Sequence, residues 1–189
     1  MSAVFTGNGL GLWGSDWGSA PGDARLGQGS DRQYVNVATG NLLLQAQDEQ
    51  LLFRGMSIGH VRTYNSLGQT AQTGADAWLT GFERRVELLS GTFNQTGSVM
   101  RRHTGDGAVQ DFVYVAQGLY RSTAGDGAHD TLEWNDTERS WACIEGSSRR
   151  EERYADHDDG ALQGRLTHIR SLASDTAEPT TWEVIYDAQ

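Results

Sequence analysis

Apolar and polar residues alternate along much of this chain with the two-residue period of a β-strand. Ile58, His60, Arg62 and Tyr64 alternate with Ser57, Gly59, Val61 and Thr63. Between Trp78 and Leu89, Phe82, Val86 and Leu88 share one face while Glu83, Arg85 and Glu87 share the other. Such a run predicts a strand in a half-solvated antiparallel sheet. Val109 to Val115 sets Phe112 and Tyr114 against Val113 and Val115, which predicts a strand partly covered on both faces. Tyr34, Val35 and Val37 favour a pleated backbone, and Leu42 to Leu44 continue it. Thr39-Gly40-Asn41 between them tolerates the positive φ of a tight reversal.

Gly105-Asp106-Gly107-Ala108 recurs twenty residues later as Gly125-Asp126-Gly127-Ala128, and Asp158-Asp159-Gly160-Ala161 is a looser third copy. Each Asp-Gly predicts a two-residue hairpin turn. Turn and strand at this spacing give the cadence of a repeat sheet, whose units bury an apolar face only against stacked neighbours. Two further strands are predicted at Gly164-Arg165-Leu166-Thr167-His168-Ile169 and Trp182-Glu183-Val184-Ile185-Tyr186-Asp187, the second with Trp182, Val184 and Tyr186 on one face. Ser147 to Tyr154 departs from the pattern, with strong helix formers and the Ser148/Glu151 spacing of a capping box. The run is too short to hold a helix alone and lies between strand signals, so it is read as strand.

Residues 1–33 form a separate Gly-rich leader. Gly7, Gly9, Gly11, Gly14, Gly18, Gly22, Gly27 and Gly29 interrupt every element, and Leu10, Leu12, Trp13 and Trp17 follow no clean period. The expectation is a segment disordered alone or laid against a neighbouring surface, the tryptophans favouring the second. Residues 34–189 are then one all-β domain, a twisted antiparallel meander of roughly ten to twelve short strands.

Composition agrees with this class. The chain has 24 Gly, 2 Pro and 6 Trp in 189 residues, which suits short strands and tight turns better than long helices. All fifteen basic residues are Arg, and the net charge is −10. That balance argues against nucleic acid or an anionic membrane surface as partner. A single cysteine, Cys143, rules out an internal disulfide, and its apolar setting from Ser140 to Ile144 predicts a buried, inert thiol. The N-terminus lacks the features of a secretory signal, and no apolar stretch approaches the ~20 residues of a membrane span. The expectation is a location in the cytoplasm before export or, if the protein leaves its cell, secretion or display at the surface by a route without a cleaved leader.

Candidate chemistry is sparse. Of His60, His103, His129, His157 and His168, none lies at metal-ligand spacing with a second His or Cys. His157, beside Asp156, Asp158 and Asp159, forms the best local cluster, and a solvated acidic turn accounts for it. The Gly-Asp-Gly copies match neither the nonapeptide calcium repeat nor an EF-hand. There is no Gly-x-Ser-x-Gly elbow, phosphate loop or oriented Cys/His pair. The adjacent carboxylates Asp158/Asp159 and Glu151/Glu152 point apart in a strand and do not converge on a bond. No cofactor and no catalysis are expected. Trp78, Trp134, Trp141 and Trp182, with Tyr114, Tyr120 and Tyr154, fill the covered sheet face or, if exposed, form a carbohydrate-binding platform.

Val35-Asn36-Val37-Ala38-Thr39-Gly40-Asn41-Leu42 followed by Arg62-Thr63-Tyr64-Asn65-Ser66 resembles the opening region of Rhs/YD-repeat proteins, where a VxxATGNL hairpin precedes an RTYNS strand. Gly164-Arg165-Leu166 and the closing Tyr186-Asp187 resemble the GRL and YD ends of a repeat unit. The resemblance covers roughly residues 34–187, and its central part, 78–153, fits cadence more than motif. It implies the opening of a hollow β-sheet shell that encloses or presents a C-terminal effector or toxin used in bacterial competition. The partners would be the rest of that shell and the enclosed polypeptide. Ala38, Thr39, Gly40, Asn41, Leu42, Arg62, Thr63, Tyr64, Asn65, Ser66, Tyr186 and Asp187 would be structural motif residues. The cleavage core and toxin would follow Gln189, and no delivery-tip domain precedes the repeats. The alternative is a surface-exposed β-sheet binding module for carbohydrate or protein.

Overall fold

The computed structural model describes residues 5–6, 11–12, 32–36, 40–51, 58–67, 78–105, 107–122, 130–144, 150–171 and 180–186. Among them are fifteen strands and no helix. The chain is all-β and antiparallel, as its alternation predicts. It divides into two compact units: residues 1–83 with 104–109, and residues 84–103 with 110–189.

In the first unit, β1 (Phe5–Thr6) and β2 (Gly11–Leu12) form a two-residue ladder inside the leader. β3 (Arg32–Asn36), β4 (Asn41–Leu51), β5 (Ile58–Asn65) and β6 (Trp78–Thr80) make a four-stranded sheet in chain order. β3 thus begins inside the predicted leader. Gly40 takes φ 75° at the β3–β4 reversal, a conformation that disfavours any side chain. The register Leu43↔Asn65 and Thr63↔Leu79 sets Leu43, Thr63, Asn65 and Leu79 on buried positions. Gly107, at the tip of residues 104–109, packs on Asn65 and Leu79.

The second unit is a nine-stranded meander, also in chain order. Its strands are β7 (Arg85–Ser90), β8 (Val99–His103), β9 (Val109–Ala116), β10 (Leu119–Arg121), β11 (Thr131–Asn135), β12 (Ser140–Ile144), β13 (Arg150–Ala155), β14 (Leu166–Ser171) and β15 (Thr181–Glu183). The sheet curls until its first strand meets the start of β14. Val86 N–H donates to Gly164 C=O and Leu166 N–H to Arg84 C=O, both at 2.9 Å, around an Arg85↔Arg165 bridge. The inner face holds Val86, Met100, Phe112, Tyr120, Leu132, Trp141, Tyr154 and Leu166, all fully buried. Each large apolar side chain there contributes roughly 1.5–3 kcal/mol by leaving water.

Four expectations need correction or refinement. Among the described residues thirteen strands follow the leader ladder, against the expected ten to twelve. Trp78 to Leu89 is not one strand: Glu83 accepts Thr80 N–H through Oε2 (2.7 Å) and donates its own N–H to Thr80 C=O (3.0 Å), and this tight turn separates β6 from β7. Val113 and Val115 are 43% and 49% exposed, because the pleat turns them away from the packed side that buries Phe112. The first and third Asp-Gly copies lie in longer reversals than two residues. The first spans Thr104 to Ala108, closed by Thr104 N–H on Ala108 C=O (2.9 Å). The third lies in a turn from Asp156 to Arg165, where Asp159 Oδ1 accepts the N–H groups of Ala161 (2.7 Å) and Leu162 (3.2 Å). The second copy, 125–128, lies outside the described residues. Ser147 to Tyr154, by contrast, ends in strand β13, with 147–149 also outside the described residues.

Gly164 makes the seam possible. Its φ is 71°, and a Cβ there would lie 2.0 Å from Val86 O. Gly164→Ala is therefore expected to cost roughly 2–3 kcal/mol. Gly160→Ala, which meets nothing within 4 Å, should stay within about 0.5 kcal/mol. Urea unfolding of both variants checks this; equal midpoints would show that the close approach is not enforced.

Candidate functional site

The motif residues of the first unit fasten two strand ends, the start of β4 and the end of β5. Asn41 opens β4, and its fully buried side chain accepts from Ser66 Oγ–H and Leu67 N–H, both at 3.0 Å, through Oδ1. Leu42 N–H donates to Ser66 Oγ (2.8 Å) while Ser66 N–H returns to Leu42 C=O (3.0 Å). Asn65, also buried, accepts Leu67 N–H at 3.2 Å. Buried amides remain only where they are bonded, so this ring of bonds fixes the β4–β5 register from its end. Thr63 receives Gln45 Nε2–H at 3.4 Å. On the other face Arg62 grips Asp48 with two bonds (2.6 and 2.8 Å) and lies 5.5 Å over the Trp78 ring, which tilts against Tyr64. The structure thus brings Asn41, Leu42, Asn65 and Ser66 together, and sets Arg62 and Tyr64 on the opposite side. Ala38 and Thr39 lie outside the described residues.

A second fastening joins the motif residues near the C-terminus. Tyr186 hydroxyl donates to Leu166 C=O (2.9 Å), and the Arg165 guanidinium lies 5.3 Å over the Tyr186 ring. Gly164, Arg165, Leu166 and Tyr186, apart in sequence, therefore meet in space. Asp187 lies outside the described residues.

The most concentrated chemistry in the second unit is one that sequence reasoning missed. Glu152, on β13, is fully buried. Its Oε1 accepts from Arg84 Nη1 and from Arg150 Nη2 (2.9 Å), and its Oε2 from Arg102 Nη2 (2.6 Å) and the Tyr154 hydroxyl. Arg102 Nε also donates to Tyr154 Oη (2.8 Å), and its Nη1 to Gln110 Oε1 (3.2 Å). Burial by itself would raise the Glu152 pKa, but Arg102, Arg84 and Arg150 hold it well below the ordinary carboxylate range. Burial pushes the Tyr154 phenol well above its usual range. A signal existed: Arg84-Arg85, Arg101-Arg102 and Glu151-Glu152 are charged doublets at strand positions, and a pleat must turn one member of each inward.

The outward members pair separately. Glu151 accepts from Arg153 Nε and Arg170 Nη1 (3.3 Å), and Arg153 Nη1 donates to Glu138 (2.8 Å). Arg153, His168, Arg170 and Thr181 line an open depression of about 240 Å³ there. The two carboxylates of Glu151/Glu152 point apart, as expected of neighbours in a strand. Among the described residues no three His, Cys, Asp or Glu side chains are grouped to hold a metal ion. His157 is buried against Phe93, Trp134 and Trp141, with Nδ1 3.2 Å from Asp156 and 3.4 Å from Trp141 Nε1. It is a core side chain, and Asp159 caps the acidic turn beside it. Cys143 is buried in β12. Trp141, Tyr120 and Tyr154 are fully buried, while Trp78, Trp134, Trp182 and Tyr114 are half-buried. No helix among the described residues is long and apolar enough to cross a membrane.

Comparison with protein-family models, curated proteins and solved structures finds no significant match to this chain.

Removing the carboxylate from three guanidinium groups leaves buried charge uncompensated, so Glu152→Ala should destabilise the second unit by roughly 3–5 kcal/mol, against less than about 1 kcal/mol for the exposed-face Glu138→Ala. Thermal or urea unfolding measures the difference, and comparable losses would show that Glu152 carries no special weight. Stability should also fall on acidification. Glu152, with a lowered folded pKa, contributes above the ordinary value of 4.5, and that contribution is lost as pH falls below it towards the folded value. Burial lowers the pKa of His103 below 6.5, opposed by its bond to Glu87, so its contribution is present above pH 6.5 and declines as pH falls through that value. A urea midpoint that does not fall between pH 6.5 and pH 4.5 would contradict the His103 shift, and one that does not fall further below pH 4.5 would contradict that of Glu152.

Proposed function

We propose that this chain is a non-catalytic wall segment of the Rhs/YD type, whose sheets enclose or present an effector or toxin domain of the same polypeptide. The observation that carries this reading is the use to which the motif residues are put. Asn41 and Ser66 tie the ends of β4 and β5 to one another, Asn65 holds the turn that follows β5, and Tyr186 ties its segment back to Leu166. Side chains spent on internal bonds hold panels together. A wall needs that kind of fastening, because each short strand is stable only through its neighbours. The all-β meander in chain order supports the reading, since strands added one after another lengthen a wall without crossovers. The buried Arg84, Arg102 and Glu152 support it too, being committed to each other within the curl.

On this reading the partners are further strands of the same shell and the enclosed polypeptide, and no cofactor takes part. Secretion into a competing cell, or display at the surface, would be a property of the parent protein.

Two measurements test the proposal together. Sequencing the coding region that follows the Gln189 codon should reveal further Tyr-Asp strands at a spacing near twenty residues. Titrating the purified chain with oligosaccharides should leave tryptophan fluorescence unchanged. A stop codon directly after Gln189, with saturable quenching by a glycan, would replace the wall by a stand-alone binding module.

A further inference from the structure

The β11–β12 turn carries a triplet with a covalent use. Asn135-Asp136-Thr137 has the Asn-x-Thr form that accepts an N-linked glycan, and Asn94-Gln95-Thr96, between β7 and β8, has it too. The structure presents the two in opposite ways. Asn135 ends β11 opposite Ser140, and residues 135–139 are all exposed. Asn135 Oδ1 accepts Thr137 N–H and Glu138 N–H, both at 3.0 Å, which settles which end of the amide meets the backbone. The neighbouring side chains are engaged elsewhere: Asp136 accepts from Trp134 Nε1–H (3.3 Å), Glu138 from Arg153 Nη1–H (2.8 Å), and Arg139 donates to Asp156. Among the described residues, Asn135 Nδ2 and the Thr137 hydroxyl take no partner. Asn94, by contrast, is set into its loop. Its φ is 57°, its N–H donates to the Tyr120 hydroxyl (2.8 Å), and its Oδ1 is buried. Phe93 before it packs edge-on against Trp134 and Trp141, and after it Gln95 N–H donates to Thr92 C=O (3.2 Å).

We infer that Asn135 is an acceptor site for an N-linked glycan, its donor a sugar activated at the anomeric carbon by a diphosphate, and that Asn94 is not. The step is a substitution. Nδ2 gives one proton to the transferase's base and bonds to the anomeric carbon. The bond from that carbon to the diphosphate oxygen breaks, and its electron pair leaves with the diphosphate. An amide nitrogen is a weak nucleophile, because its lone pair is delocalised into the carbonyl. As the proton leaves, negative charge builds on Oδ1, where two backbone N–H groups already point. The Thr137 hydroxyl is open to the transferase, as recognition of an Asn-x-Thr triplet requires. A transferase must also lay the triplet into its own cleft, which a surface turn allows and a packed loop resists. At Asn135 the core stays in place. At Asn94 the Tyr120 bond and the Phe93 packing must be given up first. The inference is separate from the wall reading and holds equally for a binding module.

Two donor systems, each applied to the purified full chain, test the site. One pairs uridine-diphosphate glucose with a soluble N-glycosyltransferase. The other pairs a polyprenyl-diphosphate oligosaccharide with a membrane oligosaccharyltransferase. Peptide mapping by mass spectrometry should place sugar on Asn135 in at least one system and none on Asn94, and the system that works identifies the donor. No sugar on Asn135 in either system, or as much on Asn94, overturns the inference. Thr137→Ala keeps the backbone N–H that Asn135 accepts and removes only the hydroxyl, so the turn stays closed. Transfer to that variant should fall at least about a hundredfold, while Thr137→Ser retains it. Undiminished transfer to Thr137→Ala would show that the triplet is not what is recognised, and overturns the inference as well.

Discussion

One buried carboxylate organises the second unit. Glu152 lies where the curled sheet brings β7, β8 and β13 together, and it is met there by Arg84, Arg102 and Arg150. Charges this deep persist only when paired and hydrogen-bonded, so the cluster is satisfied as a group or not at all. It also fixes register. A one-residue slip of β13 would turn Glu151 inward and Glu152 outward, separating each from its arginines. The apolar inner face supplies most of the driving force for the curl, and the ionic cluster decides which curl forms.

The other fastenings act at strand ends. Asn41 and Ser66 close the β4–β5 pair, Asp159 caps the turn into β14, and Tyr186 binds back across Leu166. A meander of short strands is weakest where its ladders stop, because the backbone groups there lose their partners. Side-chain oxygens at those points replace the missing bonds. The same arrangement explains why residues that read as motif in the sequence sit against backbone amides and carbonyls, where only a small amide, hydroxyl or phenol of the right length will serve.

Much of the fold was legible in the chain. Alternation from Ile58 to Tyr64 and the pairing of turn residues with β-formers gave the class, the antiparallel order and most strands. Ser147 to Tyr154 reads as strand against its helix-forming composition, because so short a run between strand signals does not sustain a helix alone, and β13 forms over Arg150–Ala155. The break between β6 and β7 was not legible, since it depends on Glu83 reaching back to Thr80. Nor was the open valine face of β9: alternation says that two faces differ, and only the neighbouring strands decide which one is covered.

The charged doublets mark the boundary between the two kinds of information. Sequence alone determined that Arg84-Arg85, Arg101-Arg102 and Glu151-Glu152 each present one charge to either side of a pleat, and that Cys143 and Trp141 belong to an apolar strand. Tertiary structure alone decided that the inward members meet in one place, that β7 returns to β14 over Gly164, and that β15 shares that edge. Alternation is a property of a single strand and travels with its residues. Convergence of groups far apart in the chain depends on how tightly the sheet curls, which is set by the summed packing of its whole inner face.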